Sequence, residues 1–169
     1  MDDAPYAHVR AAERGDVAAI GRLGALLVEL HHDFDARRFI AATPQTARGY
    51  GSYLGTQLAE DNIVMIVAVR DAEVLGYTYA GVEGVDYMSL RGPAGVLYDI
   101  VVDPAQRGKG IGQLLLAATL EALERMGAPR VVLSTAEQNE SAQRLFARAG
   151  FRRTMVELTR ESSSTPFSR

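Results

Sequence analysis

Apolar residues recur along the chain in two periods, and their succession predicts a mixed α/β domain. His8 to Ala12 reads as a short first strand. Asp16 then stands as a helix N-cap, and Ile20, Leu23, Leu27 and Leu30 follow at spacings of three and four, on one helical face. Gly21 and Gly24 weaken that helix but leave its backbone open to close approach. Thr43-Pro44 marks a second helix start, because proline suits the first helical position, and Tyr50, Leu54 and Leu58 form its apolar stripe. Ile63 to Val69 reads as a buried strand, Asp71 to Glu73 as a turn, and Val74 to Val82 as the hairpin partner. Val96 to Val102 is a third strand signal, ended by Asp103-Pro104.

The second half alternates helix and strand. Ile111 to Met126 is helical and closes at Gly127; its first half is apolar nearly all round and is expected to be buried. Val131 to Leu133 is a short buried strand. Ala142, Leu145, Phe146 and Ala149 form an amphipathic helix stopped by Gly150. Thr154 to Thr159 alternates and predicts a last strand, with Met155 and Glu157 on one face and Val156 and Leu158 on the other. Two helices, an antiparallel set of strands, then helix, strand, helix, strand describe α/β layers on one sheet.

Composition narrows the chemistry. The chain has 169 residues, 47% hydrophobic and 23% charged, enough for one domain with a real core. Residues 1–161 are expected to form that domain, and 162–169 (SSSTPFSR) a frayed tail. With 18 basic and 21 acidic residues the net charge is -3, which argues against broad binding of nucleic acid and weakly favours a cationic partner. Cysteine is absent, so disulfides, thiolate metal sites and thiol nucleophiles are excluded. His8, His31 and His32 have no zinc-ligand spacing, so no metal is expected. The start MDDAPY lacks a basic and an apolar region, and the longest strongly apolar run has seven residues; a cytoplasmic protein without membrane association is the expectation.

The chemistry-bearing stretch is YDIVVDPAQRGKGIGQLLLAATLEAL. A strand runs into a loop with Gly108, Gly110 and Gly112, and the loop runs into a helix. Alternate glycines leave backbone N–H groups unshielded, and the helix N-terminus adds orphan donors and partial positive charge. The combination suits an anion, with Arg107 and Lys109 as flanking cations. Neither the P-loop nor the dinucleotide fingerprint fits: Asp103 and Gly110 break the first, Gln113 or Leu115 the second.

Arg107-Gly108-Lys109-Gly110-Ile111-Gly112 resembles the R/Q-x-x-G-x-G/A signature of the GNAT family of N-acetyltransferases. Asn139, Ala142, Leu145-Phe146 and Gly150-Phe151 follow in the spacing of a second family motif, N-x-x-A-x-x-L-Y-x-x-x-G-F. The resemblance implies a mostly antiparallel central sheet of about six to seven strands flanked by four helices, splayed between the strands at 96–102 and 131–134. It implies acetyl-CoA as cofactor. The backbone of Ile100, Val101 and Val102 would pair with the pantetheine arm. The amides of Gly108, Lys109, Gly110, Ile111, Gly112 and Gln113 would hold the pyrophosphate beside Arg107. Asn139, Ala142 and Phe146 would border the cofactor from the last helix.

The implied reaction is transfer of an acetyl group to a primary amine of a small molecule or peptide by direct attack. The family's usual acid, a tyrosine, is replaced here by Phe146, which cannot donate a proton. Tyr98 is a substitute acid or water-orienting group, or simply an interior tyrosine. Strict alternation puts it on the face of Val96 and Ile100, with Asp99 opposite in a structural role. Glu83 and Asp86 are acceptor-side carboxylates, and Glu83 is also a catalytic candidate beside Tyr98; both Glu83 and Tyr98 are candidate substrate contacts. His31 and Asp33, on the segment that usually shapes the acceptor pocket, are candidate substrate contacts. Phe146 also motivates a second reading, a non-catalytic acyl-CoA sensor or regulatory module. A homodimer is compatible with either.

Overall fold

The computed structural model describes residues 6–162. Its strands are β1 (His8–Ala11), β2 (Ile63–Arg70), β3 (Glu73–Glu83), β4 (Ala94–Val102) and β5 (Val131–Leu133). They lie side by side in chain order as one sheet; β1 to β4 are antiparallel, and β5 runs parallel to β4. The helices are α1 (Val17–Phe34), α2 (Thr46–Gln57), α3 (Ile111–Arg125) and α4 (Glu140–Arg148). This is the mixed, mostly antiparallel sheet with four helices that the sequence predicts.

The unbroken apolar run of β2 is explained by helices on both sides of the sheet. Val64, Ile66 and Ala68 look to one side, where Leu115, Leu116 and Leu123 of α3 and Phe146 of α4 complete a core. Met65, Val67 and Val69 look to the other, against Ile20 and Leu23 of α1 and Leu54 of α2. The β2–β3 turn is built from Asp71 and Ala72, both left-handed (φ 48° and 72°), the geometry of a two-residue hairpin turn that follows strand twist.

The glycines of α1 do what their spacing suggests. A Cβ at Gly21 would meet the Ala47 carbonyl and the backbone of Gly51, so the two helices touch almost backbone to backbone. A Cβ at Gly24 would strike the ring of Tyr50.

Three expectations need correction. First, the helix expected from Thr43-Pro44 begins at Thr46; Thr43 and Pro44 lie in the preceding turn, where the Thr43 carbonyl accepts from the Thr46 amide at 3.0 Å. Second, Leu114 in the apolar half of α3 is 38% exposed. Third, Thr154 to Thr159 is not a strand, so the sheet has five strands among the described residues rather than six to seven. Alternation marks a segment able to join a sheet, but a strand also needs a ladder partner. After Phe151 packs on Phe146 the chain leaves the core, and Met155, Val156 and Leu158 are exposed. A bidentate pair between Arg38 and Glu157 ties this segment to the connection between α1 and α2. The tail expected from 162 onward lies, past Ser162, outside the described residues.

Candidate active site

β4 is paired with β3 along its length but with β5 only at Gly95, Val96 and Leu97. Beyond Leu97 the two parallel strands part, and the edge of β4 from Tyr98 to Val102 has no partner among the described residues. The splay expected between these strands is present.

A register shift breaks the alternation of β4 at the same point. Tyr79 faces Asp99 and Ala80 faces Leu97, so Tyr98 is the extra residue of a β-bulge. Tyr98 stacks on Tyr79, ring centroids 4.7 Å apart, and Asp99 meets Tyr50 and Tyr77, all on the side of α1 and α2. Ile100 packs with the α3 core instead. The expectation that Tyr98 shares a face with Ile100 and opposes Asp99 is therefore corrected: the bulge turns two consecutive side chains to one side.

A cleft of about 250 Å³ opens at the splay. Leu97, Tyr98, Asp99 and Ile100 line one wall, and Leu133, Ser134 and Thr135 face them. Asn139, Ala142 and Phe146 close it from α4, and Leu27, Val28, His31, Phe39 and Ile40 from the α1 side. Asn139 is the N-cap of α4, its side chain accepting from the Ala142 amide at 3.2 Å. Phe146 is 6% exposed and packs edge-on against Phe151. His31 Nδ1 lies 2.8 Å from the Leu27 carbonyl, and its ring packs against Phe34 and Phe39 at the border of the cleft. Asp33, by contrast, is exposed and does not line the cleft, because it falls on the outer face of α1.

Glu83 reaches the cleft only through Tyr98. The Tyr98 hydroxyl donates to Glu83 Oε1 at 2.5 Å, while Arg91 donates to Oε2 at 2.6 Å. Asp86 is occupied by the Ser89 hydroxyl and the amides of Met88 and Ser89. Burial, then the Glu83 carboxylate, pushes the Tyr98 phenol well above its ordinary value. The phenol therefore stays protonated, with its one proton in the hydrogen bond to Glu83.

The glycine loop lies between β4 and α3. Asp103 accepts from the Ala105 amide at 2.8 Å and starts a short 3-10 turn over Pro104–Gln106. Gly108 and Gly110 then take left-handed conformations (φ 77° and 79°), and Gly110 is the N-cap of α3. Among the described residues, no amide from 108 to 113 donates to a protein acceptor; the first bonded one is Leu114, to the Gly110 carbonyl. Six consecutive unpaired donors at a helix N-terminus form a cradle for a polyanion. Lys109 does not point into it in this structure: its ammonium donates to the Tyr6 hydroxyl at 2.8 Å and to Gln106 at 2.9 Å.

Sequence reasoning missed the cleft-lining Phe39, Ile40, Ser134 and Thr135, which carry no motif, and gave Asp99 only a structural role.

The profile described as the Acetyltransferase (GNAT) family matches residues 27–151, and the chain belongs to that family. Among curated proteins, the chain is 32% identical over 136 residues to a mycothiol acetyltransferase of Sanguibacter keddieii, 78% of this chain and 42% of the relative. It is 35% identical over 96 residues to one of Thermobispora bispora, 54% of this chain and 31% of the relative. The chain thus matches less than half the length of these relatives. Among solved structures, a mutant protein from Bacillus halodurans superposes with a TM-score of 0.75 at 19% identity, over 90% of this chain and 99% of the other. An aminoglycoside N-acetyltransferase solved in complex with CoA superposes with a TM-score of 0.72 at 18% identity, over 96% and 99%. At these identities the two structures speak for the fold. Among the described residues no helix is long and apolar enough to cross a membrane.

Proposed function

We propose that this chain transfers an acetyl group from acetyl-CoA to a primary amine by direct attack. The observation that carries the reading is the cradle: six unpaired amides between 108 and 113, beside a strand edge that opens after Leu97. A diphosphate fits the amides of Gly108 to Gln113, with Arg107 at its rim and Lys109 within reach once it leaves Tyr6. A pantetheine arm fits the free edge of Ile100, Val101 and Val102 as an added strand. Asn139, Ala142 and Phe146 border the thioester from α4.

A free amine has a pKa near ~10, so a proton must leave before attack. An amide of β4 near Ile100 stabilises the oxyanion that develops on the thioester carbonyl. Tyr98, a protonated phenol at the cleft wall, is the candidate donor to the departing thiolate, in place of the tyrosine the family carries where this chain has Phe146. Glu83 then acts by holding that hydroxyl, since Arg91 already neutralises it. The relatives named for mycothiol and aminoglycosides support a small-molecule amine as acceptor.

Phe146 supports one alternative, an acyl-CoA-binding sensor that does not turn over. Thiol release from acetyl-CoA, followed across a panel of primary amines, separates the two. Amine-dependent release supports the transferase; tight acetyl-CoA binding with no release on any amine supports the sensor.

A further inference from the structure

Lys109 is the only lysine in the chain; all the other basic residues are arginines. It stands inside the cradle, between the left-handed Gly108 and Gly110. Yet its ammonium is held outside, at the start of the chain. It donates to the Tyr6 hydroxyl at 2.8 Å and to Gln106 Oε1 at 2.9 Å, and it lies 4.7 Å from the centroid of the Tyr6 ring. None of the ion pairs among the described residues includes it.

The Tyr6 hydroxyl is the hub of this cluster. Arg70 of β2 donates to it as well, and its guanidinium carbon lies 4.7 Å from the same ring. The hydroxyl spends its own proton on Gln106 Oε1, at 2.5 Å. Arg70 has a carboxylate to turn to, Glu73 Oε2 at 3.3 Å. Lys109 has none. Two cations thus converge on a neutral oxygen, while six unpaired amides, that of Lys109 among them, lie alongside with no acceptor. A phenol and a side-chain amide satisfy the geometry of an ammonium but not its charge. A diphosphate on the cradle offers the charge, and a flexible four-carbon stem lets the ammonium swing to it. The two contacts compete for one group, and the affinity of a ligand is net of the contacts it must break.

We infer that Tyr6 tunes cofactor binding through Lys109: it holds the ammonium off the empty cradle, and the cofactor's diphosphate binds by drawing it away. Tyr6 is a positioning residue in this scheme, acting on the cofactor only through the lysine. The inference rests on the cofactor reading of the cradle and adds to it the resting place of its mobile cation. The charged groups facing the hydroxyl are Lys109 and Arg70, with Glu73 of β3 behind Arg70. The Lys109 hydrogen bond holds the phenol below its ordinary value; desolvation opposes it, and the charges of Arg70 and Lys109 add to it. A phenolate grips the ammonium harder than a phenol does. Removing Lys109 on binding raises the phenol again, so binding takes up a proton wherever the free chain carries phenolate. Acetyl-CoA affinity then falls as pH rises through the ionisation of Tyr6.

The test is calorimetric titration of acetyl-CoA into the full chain and into Tyr6→Phe, Lys109→Gln and the double variant. Tyr6→Phe keeps the ring and removes the hydroxyl, and is expected to tighten binding about threefold at neutral pH. Lys109→Gln is expected to weaken binding, and on that background Tyr6→Phe should change nothing. Unchanged or weaker binding in Tyr6→Phe overturns the inference, and so does an equal tightening with and without the lysine. The second arm repeats the native and Tyr6→Phe titrations from neutral pH toward the ordinary phenol range. Affinity should fall more steeply in the native chain; parallel profiles overturn the competition. Failure of the native chain to bind acetyl-CoA at all overturns the cofactor reading, and this inference with it.

Discussion

The ring of Tyr50 on α2 lies directly on the backbone of α1 at Gly24, and from there its hydroxyl reaches Asp99 at 2.6 Å. A missing side chain on one helix thus sets the position of a hydroxyl on another, 49 residues from the carboxyl it serves.

Gly24→Ala places a methyl group within that ring. Alanine is worth about 1 kcal/mol to a helix relative to glycine, but forcing the ring aside costs about 1–3 kcal/mol, so net destabilisation is expected. Chemical denaturation checks the sign. A variant more stable than the native chain would show that Tyr50 retreats without loss.

Gly110→Asp tests the cradle. The new carboxylate would sit at the N-cap of α3, where a Cβ meets nothing within 4 Å but φ is 79°. Left-handed strain costs about 1 kcal/mol for a residue of this type. Acetyl-CoA affinity should fall by about tenfold or more, since a charge of the wrong sign occupies the anion site. Calorimetric titration alongside a thermal melt separates lost binding from lost folding.

Phe146→Tyr restores a phenol at the family's position. The ring is 6% exposed and borders the cleft, so the added hydroxyl should reach the cleft and Tm should change by no more than about 3 °C. A much larger fall in a thermal melt would mean that the ring tip is sealed in the core.

A buried chain of hydroxyls joins sheet to helix. Thr119 donates to the Leu115 carbonyl at 2.8 Å, which leaves Thr78 to donate to Thr119 at 2.6 Å. Thr119→Val strands the Thr78 hydroxyl at about 1–3 kcal/mol. Replacing both threonines by valine should recover part of that loss, and the coupling appears in a double-mutant cycle of denaturant melts.

How much of this was legible in the sequence depends on what each element requires of its surroundings. The β2–β3 hairpin, α3 and the glycine loop are determined by neighbours close in the chain, and period and turn chemistry read them to within a few residues. The close approach permitted at Gly21 and Gly24 was legible too, though not which groups would make it. The bulge at Tyr98 was not: a period of two carries no mark where a register slips, so Asp99 was assigned to the wrong face relative to Tyr98. The strand expected at Thr154 to Thr159 failed for the opposite reason, since its local pattern is sound and its partner is missing. The cleft residues Phe39 and Ile40 arrive through the packing of a connection, which no local pattern encodes.

β4 is finished along one side and unfinished along half of the other. Any molecule that settles against the open half becomes, while it stays, a borrowed strand, and peptide hydrogens there pass from contact with water to shelter. Deuterium uptake at these few positions is therefore an intrinsic gauge of occupancy that needs no label and no turnover.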